Sequence, residues 1–281
     1  MKKWNNRQNI KNNLITGIAI IIFLYLGLSF VSDAVSNKQY HWDIVWQYLF
    51  APKIMMGLVW TLILTFSSMI IAIILAVLLA LGSKGKSKPV KWFCTGYIWL
   101  FRGTPIYTQL IFWGLIAVLW PKISLGIPFT DVRFFELDTT TVFSAVVAAI
   151  LGLALNEAAY LSEIVRAGID SVSVGQYEAG EAIGLSRNQT MFKIILPQAM
   201  RVIIPPTGNE TISMLKTTSL VVAIPFTMDL NYVQGAIANR IFLPIPMLIV
   251  ACFWYLLVST IFMFLQSRLE KHFGKSVISV A

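Results

Sequence analysis

The segment QYEAGEAIGLSRNQTMFKIILPQ, from Gln176 to Gln198, decides how the whole chain is interpreted. It is polar and charged at its start, and it lies between hydrophobic segments that are long enough to span a membrane. Gly184 stands where a short first helix would end. Ser186 then begins a second helix, because Gln189 three residues later completes a capping box.

The second predicted helix has an apolar side that is formed by Phe192, Ile194, Ile195 and Leu196. This side can rest against the face of a membrane, and Pro197 then ends the helix or turns it into the next span. The residues therefore predict two short helices, joined at a glycine, that lie beneath the membrane. They leave open whether the segment binds a partner or is an interfacial loop without one.

The composition of the chain indicates an integral membrane protein. Of its 281 residues 57% are hydrophobic and only 12% are charged, and the mean hydropathy is +0.73. A soluble domain normally has about twice that charged fraction, so the excess apolar surface requires lipid as its solvent. The net charge of +9 does not indicate nucleic acid, since the sequence has no RNA- or DNA-binding motif. Lys and Arg also concentrate in the cytoplasmic loops of membrane proteins.

Six segments are apolar over the length that a membrane-spanning helix needs, which is about 20 residues. They cover residues 14–31, 54–81, 103–120, 142–164, 202–226 and 241–265. A basic leader precedes the first segment, but its apolar run is too long for a signal peptide and no cleavage site follows. The sequence therefore predicts an all-α integral membrane protein with six transmembrane helices. With both termini cytoplasmic, the inner loops hold three times as many Lys and Arg residues as the outer loops.

The sequence offers no site for catalysis, metal binding or ATP hydrolysis. The loop GSKGKS, residues 82–87, ends like a phosphate-binding loop, but Ala80 stands where the motif requires its first glycine. The histidines and cysteines are far apart in sequence and form no convergent set of metal ligands: His41, Cys94, Cys252 and His272. If ATP drives this protein, ATP and Mg²⁺ bind a separate ATPase chain.

The opening segment closely resembles the EAA loop of ABC importer permeases, whose pattern is E-A-A-x3-G-x9-I-x-L-P. Gly180 replaces the third alanine of the pattern, which weakens an exposed helix by roughly 1 kcal/mol. The matching residues are Glu178, Ala179, Gly184, Ile194, Leu196 and Pro197. In that family the loop forms coupling helices that dock into a groove on the ATPase subunit. The resemblance implies the same role for these residues and for Gly180.

Other stretches resemble the polar amino acid permeases of that family. RGTPIYTQL, residues 102–110, looks like the R-G-T-P-x-x-x-Q-L signature, and two further stretches, 156–176 and 196–220, resemble the same subfamily. The similarity divides the chain into three expected parts. These are an N-terminal leader with an extra helix and an outer loop (1–53), a five-helix permease core (54–271) containing the coupling loop (174–197), and a cytoplasmic tail (272–281).

The resemblance implies a transport subunit of a prokaryotic cytoplasmic (inner) membrane that forms half of an import pathway. Two ATPase subunits, a second permease subunit, identical or homologous, and an extracytoplasmic amino acid-binding protein would complete the assembly. The chain itself would hold no cofactor and would not be an enzyme. Its substrate would be a polar amino acid, whose side chain the sequence does not identify.

Polar residues within the predicted spans are candidates for the substrate pathway, since charges in lipid face a cavity or a partner. Glu157 could accept an ammonium group, and Asn209 could bind the backbone part of an amino acid. Glu157, Glu210 and Lys216 could instead form ion pairs that hold helices together, and both interpretations stay open. The full set of candidates is Arg102, Thr104, Gln109, Asn156, Glu157, Asn209, Glu210 and Lys216.

Three further expectations concern the spans and the class of protein. Pro205 and Pro206 should bend the fifth span, either as part of a gate or as a structural kink. Glu163 and Arg166 should form a surface pair at the end of the fourth span. The alternative functions are a secondary transporter, which often has internal repeats, and a membrane enzyme, which needs a nucleophile–base pair or a metal cluster. The sequence shows no convincing repeat and no such pair.

Overall fold

The protein is almost entirely helical, and a computed structural model describes its residues 2–127, 129–130 and 132–274. The helices are α1 (Lys2–Ser36), α2 (Trp42–Leu49), α3 (Pro52–Lys84), α4 (Lys88–Gly103), α5 (Ile106–Gly114), α6 (Ile116–Leu119), α7 (Thr139–Val142), α8 (Ala145–Asp170), α9 (Val174–Ala182), α10 (Arg187–Thr190), α11 (Leu196–Thr217), α12 (Leu230–Ile241) and α13 (Pro244–Gly274). Short 3-10 helices cover Lys38–Tyr40 and Thr218–Ala223, and a π-helix covers Met191–Ile195. Strands β1 (Lys122–Gly126) and β2 (Arg133–Asp138) form one hairpin.

Four helices in the described part of the chain are long and apolar enough to cross a membrane. They cover Leu14–Ser36, Pro52–Lys84, Ala145–Asp170 and Pro244–Lys271. The all-α membrane class is thereby confirmed, whereas the count of six spans is not. The third predicted span, 103–120, consists of two short helices, α5 and α6, which Leu115 separates, and Thr104 and Pro105 separate α5 from the preceding α4. The fifth, α11, contains the charged residues Arg201, Glu210 and Lys216.

The first helix stands apart from the core of the bundle. From Leu14 to Ser36 none of its residues is buried, and Phe23 near its centre is 78% exposed. The indole Nε1 of Trp42 donates a hydrogen bond of 2.9 Å to the carbonyl of Ala34, close to the end of α1. The residues predicted to form a cytoplasmic tail lie outside the described part from residue 275 onward.

The centre of the bundle is the contact between α3 and α8. Hydrophobic burial drives little association between helices in lipid, so close packing of small residues matters more. Ala72, Ala76 and Ala80 lie at intervals of four along α3 and are buried. On α8, Gly152 leaves so little space that an added Cβ would lie 2.8 Å from Leu110 of α5. This packing fixes the position of α8, which carries two of the pathway candidates.

Helix α11 continues through Pro205 and Pro206 without a break, and α13 packs against this part of the helix. Gln266 of α13 is 5% exposed, and its Nε2 donates a hydrogen bond of 2.5 Å to the carbonyl of Pro205. Its side chain fills the space beside Gly208, where a Cβ would lie 1.6 Å from Gln266 Oε1. This arrangement supports the structural interpretation of Pro205 and Pro206.

The sequence did not predict the β1–β2 hairpin or α12, which both lie at the end of the bundle opposite α9. The alternation of apolar and polar residues in β1 and β2 was a usable signal. Asp229 is fully buried and caps α12, accepting a hydrogen bond of 2.9 Å from the backbone N–H of Asn231. Asp229 thus satisfies free N–H groups at the beginning of α12.

Candidate functional site

The segment around residues 174–197 folds as two short helices joined at a glycine, as its sequence predicts. Gly184 has a φ of +77°, a conformation that suits glycine, and it ends α9. Ser186 caps α10: its Oγ accepts from Gln189 N at 3.3 Å, and Ser186 N donates to Gln189 Oε1 at 2.9 Å. Both halves of the predicted capping box are therefore present.

Gly180, the one departure from the EAA pattern, packs directly against Thr190. A Cβ added at Gly180 would lie 2.6 Å from both Oγ1 and Cγ2 of Thr190, which is 4% exposed. The missing methyl group thus lets α9 and α10 approach each other closely. The side chain of Thr190 fills the space that a side chain at position 180 would take, and the two short helices pack closely at this point.

The segment passes from α10 into the membrane without a break. The π-helix Met191–Ile195 leads into α11, whose first turn contains Pro197, so Pro197 does not end the helix but lies where it turns into the next span. Ile195 is fully buried, next to Val165 and Ile169 of α8. Gln198 Nε2 donates a bond of 3.0 Å to Gln176 Oε1 and so ties α11 to α9.

The surface of the segment is open. Ile183 and Val174 are 72% and 70% exposed, and Glu178 and Ala179 are exposed on α9. Burial raises the pKa of the nearby Tyr177 hydroxyl, and the carboxylate of Asp170 adds to this effect. The arrangement therefore presents apolar and acidic groups together on a rigid pair of helices.

Three of the pathway candidates meet at the break between α4 and α5. Asn156 Nδ2 of α8 donates to the Phe101 carbonyl at 2.9 Å and to Gln109 Oε1 at 3.1 Å. Gln109 Nε2 donates to Thr104 Oγ1 at 2.7 Å. These side chains satisfy backbone groups that the interrupted helix leaves free, as a helix break within a membrane requires.

Arg102 lies beside a row of charged residues on α8. Its guanidinium lies 5.4 Å from the ring centre of Tyr160 and 4.0 Å from Glu163. Arg166 bonds Glu163 at 2.6 Å and Asp170 at 3.3 Å, so the expected Glu163–Arg166 pair is present. Sequence reasoning missed Tyr160, although it lies four residues after Asn156 on the same face of α8.

The remaining candidates form a different arrangement. Glu157 is 8% exposed, and its Oε1 has no hydrogen-bond partner. The nearby charge that acts on its carboxylate is the carboxylate of half-buried Glu210, which repels it. In the described part of the chain neither carboxylate forms an ion pair. Lys216 and Asn209 are exposed on α11, and Lys216 forms no ion pair there either. The structure thus brings Glu157 close to Glu210 and does not pair it with Lys216.

The structure also contains an apolar cavity of about 410 Å³ between α3, α8 and α11. Its lining includes none of the eight pathway candidates. A zwitterionic ligand needs convergent polar groups, so this cavity does not fit an amino acid.

Comparison with known proteins identifies related chains. A family model described as "Binding-protein-dependent transport system inner membrane component" matches residues 68–275. The arginine transport system permease protein ArgU of Corynebacterium glutamicum is 46% identical over 92% of this chain and 80% of its own length. The L-cystine transport system permease protein TcyB of Bacillus subtilis is 34% identical over 84% and 92%.

Solved structures share the fold. An amino acid ABC transporter crystallised with histidines superimposes with a TM-score of 0.65 at 32% identity, covering 79% of this chain and 95% of its own. The MetNI methionine ABC transporter gives a TM-score of 0.52 at 17% identity, covering 81% and 97%.

Proposed function

Since the chain belongs to the family of binding-protein-dependent transport system inner membrane components, we propose that it is the membrane-spanning subunit of an ATP-driven amino acid importer. It is a transport subunit and not an enzyme, and ATP hydrolysis takes place in separate ATPase subunits. Relatives over most of its length are named as amino acid permeases, which supports this substrate class. The secondary transporter considered above has no comparable support.

The observation that carries the proposal is the geometry of α9 and α10. The two helices are locked by Gly184, the Ser186 capping box and the contact between Gly180 and Thr190. Their exposed apolar side chains, led by Ile183, offer a contact surface for another protein. We assign this surface to the ATPase subunit, which converts ATP binding into movement of α11 through the continuous helix.

The family works with ATPase subunits and an extracytoplasmic binding protein. We infer a complex of two ATPase subunits and two permease subunits, which are identical or homologous. Both termini of this chain would lie on the cytoplasmic side. The distribution of Lys and Arg supports this orientation in an inner membrane.

The proposed substrate is a cationic amino acid. Two carboxylates, Glu157 and Glu210, lie close together within the bundle, and no described cation neutralises them. Carboxylates in a membrane protein are expensive unless a partner compensates them, and an ammonium or guanidinium group would do so. The 46% identical relative is named for arginine, which agrees with this charge.

Proteoliposomes that contain the chain, its ATPase and its binding protein test the proposal. ATP inside the vesicles should drive uptake of radiolabelled arginine, and uncharged amino acids should compete weakly. Uptake that follows an ion gradient and ignores ATP would contradict the importer. Uptake driven by ATP but restricted to acidic amino acids would contradict only the assignment of substrate.

A further inference from the structure

The β1–β2 hairpin has two different faces. The antiparallel register pairs Ile123 with Leu137 and Leu125 with Phe135, so these four side chains share one face. The register also pairs Lys122 with Asp138 and Ser124 with Glu136 on the opposite face. The hairpin is therefore amphipathic, with an apolar face that contains no charged or hydrogen-bonding side chain.

The apolar face is left open by the rest of the chain. Leu125 is 69% exposed, Phe135 is 51% exposed, and Ile123 and Leu137 are also exposed. At the tip, Phe129 is fully exposed, whereas Phe134, which is 70% exposed, lies at the irregularity opposite Gly126 and does not belong to this face. A two-stranded hairpin is marginally stable in water on its own, so this surface needs a cover.

The polar face, in contrast, suits water. Lys122 Nζ lies 2.5 Å from Glu136 Oε1, and this bond raises the pKa of the lysine. The ion pair leaves the centre of the face close to neutral. It therefore offers little net charge for steering a charged partner protein.

The base of the hairpin carries a residue type that is typical of membrane–water interfaces. Trp120 and Pro121 connect the apolar helix α6 to β1. Trp120 is 54% exposed, and Trp is enriched at membrane–water interfaces. The backbone N–H of Thr139 donates to the Pro121 carbonyl at 2.9 Å, and the Thr139 hydroxyl donates to the Trp120 carbonyl. These bonds close the base and fix the hairpin between α6 and α7.

We propose that the hairpin lies in the membrane–water interface on the side opposite α9, with its apolar face in the lipid and its polar face in water. The exposed apolar side chains of Val118 and Leu119 in α6 adjoin the base of the hairpin, so the two surfaces would face the lipid together. A protein partner would normally find hydrogen-bonding groups on such a face, and this one has none. The inference depends on the membrane class of the chain and is independent of its transport function.

Spin labels on single cysteines test this arrangement in the full-length chain in nanodiscs of phosphatidylcholine and phosphatidylglycerol. Cys94 and Cys252 are first replaced by alanine. One label at a time is then placed on the apolar face (Ile123, Leu125, Phe135, Leu137) or on the polar face (Ser124, Glu136, Asp138). Collisions with oxygen report lipid, and collisions with a water-soluble nickel chelate report solvent.

The ratio of oxygen to nickel accessibility should alternate with a period of two residues and be about threefold higher on the apolar face. A label at Phe23 of α1 gives the value for lipid, and one at Lys193 gives the value for water. Equal nickel accessibility on both faces would overturn the proposal, because the hairpin would then stand in water. Protection of the apolar face from both reagents would overturn it too, since a protein would then cover it.

Discussion

Thr190 fills the space that an alanine side chain would occupy at position 180: a Cβ on Gly180 would lie 2.6 Å from Thr190 Oγ1 and from Cγ2. The glycine that departs from the EAA pattern is therefore half of a matched pair. Its contact sets how closely α9 approaches α10, and thereby the shape of the surface that we assign to the ATPase.

The contact between Gly180 and Thr190 can be tested by a pair of substitutions in which the second restores what the first loses. Gly180→Ala should lower stability or coupling by about 1–3 kcal/mol, because the overpacking outweighs the gain in helix propensity. Gly180→Ala combined with Thr190→Ala should recover most of the loss, since both clashing atoms are removed. Thermal unfolding and substrate-stimulated ATP hydrolysis of the single and double variants measure this coupling. Additive losses in the double variant would show that the contact is unimportant.

Gly184 should tolerate substitutions according to backbone conformation and not according to size. No atom lies within 4 Å of an added Cβ there, but φ is +77°. Gly184→Val should reduce stimulated ATP hydrolysis, because a β-branched residue is strained by about 1–3 kcal/mol in this region. Gly184→Asn should be close to wild type, since asparagine tolerates positive φ. Equal activity of both variants would contradict the assigned role of the turn.

Glu157 provides a test of the substrate pathway. Because Glu157 forms no described ion pair and lies close to Glu210, Glu157→Gln should not lower the thermal stability. Uptake of arginine should fall at least tenfold while basal ATP hydrolysis persists, since the cation loses an acceptor. Glu163→Gln, which breaks the half-buried pair with Arg166, is the control for loss of a carboxylate in the same helix. Normal arginine uptake by Glu157→Gln over a full titration would remove it from the pathway.

Gln266 should be more important for stability than its position in the last helix indicates. Gln266→Leu leaves the Pro205 carbonyl without its donor and should lower the free energy of unfolding by about 1–3 kcal/mol. Gln198→Leu, which removes a less buried bond to Gln176, should have a smaller effect. Thermal unfolding in detergent compares the two. An equal or larger loss in Gln198→Leu would contradict the brace.

Local rules predicted the structure of α9 and α10 well, because it depends on neighbours in sequence. A positive φ at Gly184 and a capping box at Ser186 follow from residues within four positions. The partner of Gly180 could not be read in the same way, since its contact with Thr190 depends on the angle between two helices. The brace at Pro205 comes from Gln266, 61 residues away, which no local pattern reveals.

The predicted spans show the same difference between features that depend on local sequence and features that depend on distant contacts. Long apolar helices such as α3 and α8 follow directly from composition, but hydropathy predicted one helix over 103–120, where the structure has the two short helices α5 and α6. The interruption at Thr104 and Pro105 is stabilised by Asn156 and Gln109, which lie far apart in sequence. The alternation of apolar and polar residues in β1 and β2 was a readable signal, but no strands were predicted there.

Binding of the ATPase subunit to the surface of α9 and α10 tests the central claim most directly. Ile183→Asp places a charge on the exposed apolar surface and should weaken co-purification with the ATPase at least tenfold, with membrane insertion unchanged. Phe242→Asp, at an even more exposed position at the opposite end of the bundle, should bind as the wild type does. Undiminished binding by Ile183→Asp, or an equal loss in Phe242→Asp, would contradict the account.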